Sequence, residues 1–272
     1  MTRNAVELFR VVKNAYGQET LIGVSWDLIW PFIGAAAVFI IVHTIYKWVF
    51  APDVHKDTAG GTGDLDRVTR HHLTDRIYHW TMAVSMLVLL GTAFLPIAGF
   101  KFPWLEAHWI AGIVLTVIVL IHIVRALIWQ DRAAMWVGQA DIKRSVQSVS
   151  WVLRRRSEEP DLPGKYPLLQ KLYHHGIAVI VLTVIGTGLV MMVKIDTPFW
   201  QRDPYLFSAK TWGWIYVAHD LTAMAVLALI IIHIYFAIRP EKLWITRSMI
   251  FGWITRREYL DHHDPDQWRA EP

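Results

Sequence analysis

Five long apolar segments limit this chain more than any other feature. They run near residues 28–50, 77–99, 105–128, 172–194 and 212–238. Each is long enough to cross about 30 Å of hydrocarbon, which takes roughly 20 helical residues. Composition agrees: 54% of the 272 residues are hydrophobic, and only 18% are charged, against about a quarter in an average soluble domain. The 15 Trp residues fit an interface-rich membrane protein. The expected fold class is therefore all-α, with five transmembrane helices. The first segment follows 27 mixed residues rather than a short basic region, so it does not read as a cleaved signal peptide.

The links carry the orientation. Residues 51–76 are polar and contain Gly60–Gly63 (GGTG), a flexible link. Residues 129–171 hold Arg154–Arg156 and the stretch PDLPGKYP. Twenty Lys and Arg residues lie on the side of 51–76, 129–171 and 239–272, against seven on the other. Positive charge favours the cytoplasm. The expected topology is multi-pass in a bacterial inner membrane, with the N-terminus periplasmic and the C-terminus cytoplasmic.

Cysteine is absent. That excludes disulfides, iron–sulfur clusters on this chain, thiolate zinc sites and covalently attached c-type haem. No recognition motif accompanies the basic residues, so nucleic acid is not an expected partner. The chemistry available lies in 13 histidines, and ionisable residues inside a membrane are functional candidates by default.

His219 and His233 are fourteen residues apart in the last span, and His108 and His122 share that spacing in the third. Fourteen residues is about 21 Å of helix rise. At 100° per residue the two positions fall within about 40° of one face. His108 and His219 are the only histidines in the outer half of the membrane, so an outer haem with two histidine ligands must use them. Two imidazoles close the iron to oxygen and suit it to electron transfer. On the inner side His233 has two available partners, His79 and His122, and the spacing leans to His122.

Family resemblance enters through order and motif. DRIYHWTMAVSMLVLLGTAF (75–94), EAHWIAGI (106–113), GKYPLLQK (164–171) and the His219–His233 helix, with IIHIYFAI and the tail to HHDPDQW, stand in sequence order. Together they resemble the cytochrome b (gamma) subunit of respiratory formate dehydrogenase. The related b-type cytochromes of nickel hydrogenases and thiosulfate reductases share the plan. The resemblance covers about residues 75–268. It implies two haem b groups stacked in a four-helix bundle, with His108 and His219 on the periplasmic-side iron and His79 and His233 on the cytoplasmic-side iron. It thus prefers His79, in its D-R-x-x-H-W context, to His122. It also implies a quinone, menaquinone or ubiquinone, near the cytoplasmic face. Candidates to line that site are Lys165, Tyr166, Gln170, His174 and His175.

Three departures accompany the resemblance. The first span has no counterpart, which divides the chain into 1–74, an added helix with its link, and 75–272, the dihaem domain. Pro167 stands where the family has an Asn for the quinone. His174 and His175 replace apolar residues of formate dehydrogenase. Function is expected to be electron transfer between the quinone pool and periplasmic or membrane-attached oxidoreductase subunits with iron–sulfur clusters, molybdenum- or nickel-dependent. Quinol oxidation feeding a periplasmic reductase or a multihaem c-type cytochrome fits the same residues. A reading of another class is a haem-free transporter or membrane anchor whose histidines handle protons.

Overall fold

A computed structural model describes residues 8–50, 66–130, 132–152 and 161–269. It contains five helices long and apolar enough to cross a membrane: Trp26–Val49, Leu73–Phe94, Trp104–Ile128, Leu168–Lys194 and Ala209–Ile238. The helices are α1 (Ile29–Phe50), α2 (Leu73–Phe94), α3 (Trp104–Ile128), α4 (Gln139–Val152), α5 (Leu168–Met191), α6 (Ala209–Ile238), α7 (Leu243–Phe251) and α8 (Arg256–His262). α4, α7 and α8 are too short to cross a membrane.

Three span boundaries differ from the sequence reading by four or five residues, for local reasons. α2 starts at Leu73 rather than near 77, with the Asp75 carboxylate accepting the His72 N–H at 3.2 Å. It ends at Phe94 rather than 99, because Pro96 disfavours helix at Leu95 and removes a donor. The chain then turns through Gly99 at φ 94°. α5 starts directly after Pro167, whose carbonyl accepts the N–H groups of Gln170 and Lys171. Lys171 is buried there because its ammonium pairs with Asp141 at 2.9 Å.

The chain packs as two units. The first comprises Met1–Ala37, Met82–Val119 and Ile177–Ile231. Its N-terminal part, read from sequence only as mixed residues, is a hairpin of β1 (Phe9–Lys13) and β2 (Glu19–Val24). Val24, Val217 and Met224 form a core closed by Leu21, Leu28, Phe32, Phe94 and Leu221. Gly213 lets β2 approach α6: a Cβ there would sit 2.7 Å from Leu21 Cβ. Asp220, beside His219 on α6, fixes this hairpin. Its carboxylate accepts from Arg10 and from the Val24 N–H, each at 3.1 Å.

The second unit comprises Val38–Thr81, Leu120–Gly176 and Ile232–Pro272. Residues 51–65, with the glycine run, lie outside the described residues. At 67–69 the chain is already strand: β3 (Arg67–Thr69) pairs antiparallel with β4 (Trp253–Thr255). Val68, Ile254 and Tyr259 form its core, with Trp244 and Trp268 against it. Thr255 and Glu258 make a capping box at the start of α8, which satisfies two helix-end donors reciprocally. The tail that reads as a basic cytoplasmic extension is thus a folded cap.

Candidate functional site

In the first unit, His108 of α3 and His219 of α6 face each other with ring centres 6.4 Å apart. In the second, His79 of α2 and His233 of α6 lie 6.1 Å apart. Two imidazoles bonded to one metal from opposite sides, at about 2 Å each, put ring centres roughly 6.4 Å apart. Both pairs therefore have the spacing that two imidazoles would need to hold one metal ion between them. Among the described residues no three His, Cys, Asp or Glu side chains gather as a metal cluster.

The first pair is oriented by hydroxyls that the sequence reading missed. Thr92 Oγ1 donates to the Val88 carbonyl at 2.7 Å and lies 2.8 Å from His108 Nδ1. Thr187 Oγ1 donates to the Thr183 carbonyl at 2.8 Å and lies 3.0 Å from His219 Nδ1. Each hydroxyl has spent its one proton on the backbone, so it accepts from the imidazole. Nδ1 is then the protonated nitrogen, and Nε2 keeps the lone pair a metal needs. Each threonine adjoins a glycine, Gly91–Thr92 and Thr187–Gly188. Gly188 makes room for the ring, since a Cβ would meet His219 Cε1 at 3.3 Å. That hydroxyl–glycine adjacency was the available signal. Gly176 and Gly186, also glycines of α5, face open space.

His122 does not face His233. It lies 6.4 Å from His174, whose ring is 5.7 Å from that of His175. His175 Nε2 donates to the Met135 carbonyl at 3.1 Å. His43 is taken up by packing: Nδ1 lies 2.9 Å from the Tyr235 hydroxyl, and the ring meets Phe236 at 4.9 Å. Arg125, near the C-terminal end of α3, pairs with Asp75 at 3.1 Å.

The residues expected around a quinone lie at the start of α5 and beside the cap. Lys165 and Tyr166 lie beside the cap, with the Lys165 ammonium 5.6 Å from the rings of Tyr166 and Trp268. Burial pushes the Tyr166 phenol up from its ordinary value. Gln170 begins α5, a turn before His174 and His175. An open cleft of about 870 Å³ lies between α2 and α3, lined by His72, Thr74, Tyr78, Leu120, Arg125 and Trp129 among others.

A family model described as prokaryotic cytochrome b561 matches residues 70–252. The match begins after α1. A protein of Bradyrhizobium diazoefficiens described as a probable Ni/Fe-hydrogenase B-type cytochrome subunit is 26% identical over 225 residues, 68% of this chain and 84% of its own length.

Proposed function

The chain belongs to the prokaryotic cytochrome b561 family, and from that premise we propose that this multi-pass membrane b-type cytochrome passes electrons between an outer catalytic partner and the quinone pool. The observation that carries the reading is the pair of facing imidazole couples, His108–His219 and His79–His233, at 6.4 and 6.1 Å. Each couple would hold one haem b. Haem bound there would supply a one-electron iron couple, and the two imidazoles of each couple would hold its iron.

The chain's own residues hold and orient. Thr92 and Thr187 set the Nδ1–H tautomer of the outer couple. Tyr173 stacks on His233 at 5.9 Å and restricts its ring. Quinone is reduced near the cytoplasmic face by this reading, with Lys165, Tyr166, Gln170, His174 and His175 as the residues that bind it and deliver protons. Pro167 offers no side-chain hydrogen bond there. The orientation, N-terminus periplasmic, follows from the Lys and Arg asymmetry. Residues 1–74 form the added part and 75–272 the haem domain. The relative's description favours a nickel–iron hydrogenase as the partner; the sequence motifs also fit a formate dehydrogenase-type partner.

One observation supports a second inner site: His122 and His174 have the same 6.4 Å spacing. Substitution separates the two. The purified protein should contain two b haems by pyridine haemochrome assay. His108→Ala and His219→Ala should each remove the same haem, and His79→Ala and His233→Ala the other. Loss of the inner haem in His122→Ala, with His79→Ala unaffected, would move that site to the second pair. A haem-free protein would defeat the whole reading.

A further inference from the structure

A surface helix normally buries an apolar stripe and shows its polar face to water. α4 does the reverse. Asp141 is 6% exposed, and its carboxylate accepts from the Lys171 ammonium at 2.9 Å, the Arg144 guanidinium at 3.0 Å and the Gly138 N–H at 3.0 Å. Arg144 also donates to the Gln267 side chain. Ile142, Val146 and Val149, by contrast, are 52%, 60% and 57% exposed. Their spacing of four and three residues puts them within about 60° of one another round the helix. The polar flank of α4 is bonded inward, and its apolar flank is bare.

The depth of α4 is set by the span it is bonded to. Lys171 stands in the first turn of α5, at the start of the membrane-crossing segment Leu168–Lys194. Its ammonium reaches both Asp141 and the Trp136 carbonyl, the latter at 3.1 Å. One turn further along α5, His175 bonds the Met135 carbonyl. The preceding span, α3, ends at Ile128, and α4 begins at Gln139. The N-terminal end of α4 is therefore held level with the end of a span, where hydrocarbon meets headgroups. Trp129 and Trp136 in the link are 72% and 75% exposed, and tryptophan concentrates at that boundary. Asp141, the one acid among residues 132–152, is buried against two cations, whereas Arg132 and Lys143 are exposed. The charge this segment shows to its surroundings is positive.

We propose that α4 is an interfacial helix, lying in the plane of the bilayer with Ile142, Val146 and Val149 seated among the acyl chains and Arg132 and Lys143 against phospholipid phosphates. A helix of 14 residues is about 21 Å long, too short to cross and long enough to lie on the surface. Apolar area and attraction of basic side chains to lipid phosphate hold such helices at the boundary. Lipid is the occupant because α4 is tied to the ends of two spans, so the bilayer is within reach in every copy of the chain. The helix then braces the start of α5 from the membrane surface, through the contacts that hold Lys171 and His175.

The test is spin-label accessibility in the full chain, held in phospholipid nanodiscs. The chain has no cysteine, so Ile142→Cys, Val146→Cys and Val149→Cys each take a single nitroxide. All three labels should collide several-fold more with oxygen, which dissolves in hydrocarbon, than with a nickel chelate confined to water, and their depths should match. Ala140→Cys, exposed on the far side of the helix, should show the opposite bias. Preference for the nickel chelate at 142, 146 and 149 overturns the proposal. So does an oxygen bias that fades steadily from 142 to 149, which means an upright helix. Shielding of the labels from both reagents assigns the face to protein, a second copy if the spectra show spin–spin broadening, and overturns it too. A second measurement needs no label: Val146→Asp combined with Val149→Asp should speed trypsin cleavage after Lys143 several-fold in nanodiscs, and an unchanged rate would count against the lipid contact.

Discussion

Thr187 Oγ1 lies 3.0 Å from Nδ1 of His219. The Thr92 hydroxyl makes the same contact with His108 at 2.8 Å, so both imidazoles of this couple have one tautomer imposed from α2 and α5. Removing a group that orients a ligand typically costs on the order of 10–100-fold in metal affinity. Thr187→Val should therefore weaken outer-haem retention on that scale, and Thr187→Ser should keep it. Haem content after extended washing reads both. Equal retention in all three proteins would remove the hydroxyl from the site.

Gly188 offers a steric counterpart. A Cβ at 188 stands 3.3 Å from His219 Cε1, whereas none of the atoms around Gly186 comes within 4 Å of one. Gly188→Val should displace the imidazole and deplete the outer haem. Gly186→Ala should retain both haems and gain up to about 1 kcal/mol of helix propensity. The absorbance spectrum and thermal unfolding midpoint check the pair.

The hairpin depends on Asp220. Its carboxylate holds both Arg10 and the Val24 N–H, and Arg10 also stacks over Trp26 at 3.9 Å. Asp220→Ala leaves a partly buried guanidinium without its anion. Trypsin should then cut after Arg10 and Lys13 several-fold faster, with α6 intact. An unchanged cleavage rate would mean that apolar packing of Leu21 and Val24 suffices.

The cap should be acid-sensitive. Burial lowers His263 to about 4 and His71 to about 3, each below the ordinary 6.5, with Arg70 reinforcing both shifts. The unfolded cap thus binds more protons than the folded one in this window. Stability from these groups is full above pH 6.5 and is lost as pH falls toward 4 and 3. Proteolysis of residues 240–269 should accelerate between pH 7 and 5, and less so in His263→Gln. A flat profile in the parent protein would contradict the burial of neutral imidazoles.

Sequence by itself determined the membrane class and the five spans, because hydrocarbon thickness is imposed on each segment separately. It also determined which histidines lie toward the same end of the spans, since depth follows from position along a helix. Helix ends were read less well at Leu73, Phe94 and Leu168, where one carboxylate or proline decides. Partner choice across helices was beyond it. Fourteen-residue spacing holds equally for His122 and His233, and only packing set His122 opposite His174 and His79 opposite His233. The Thr92 and Thr187 hydroxyls, the Asp220 clasp and the Asp141–Lys171 pair were likewise decided by the tertiary structure. Each joins residues on separate elements, from 16 to 210 positions apart, and no local pattern records which of them meet.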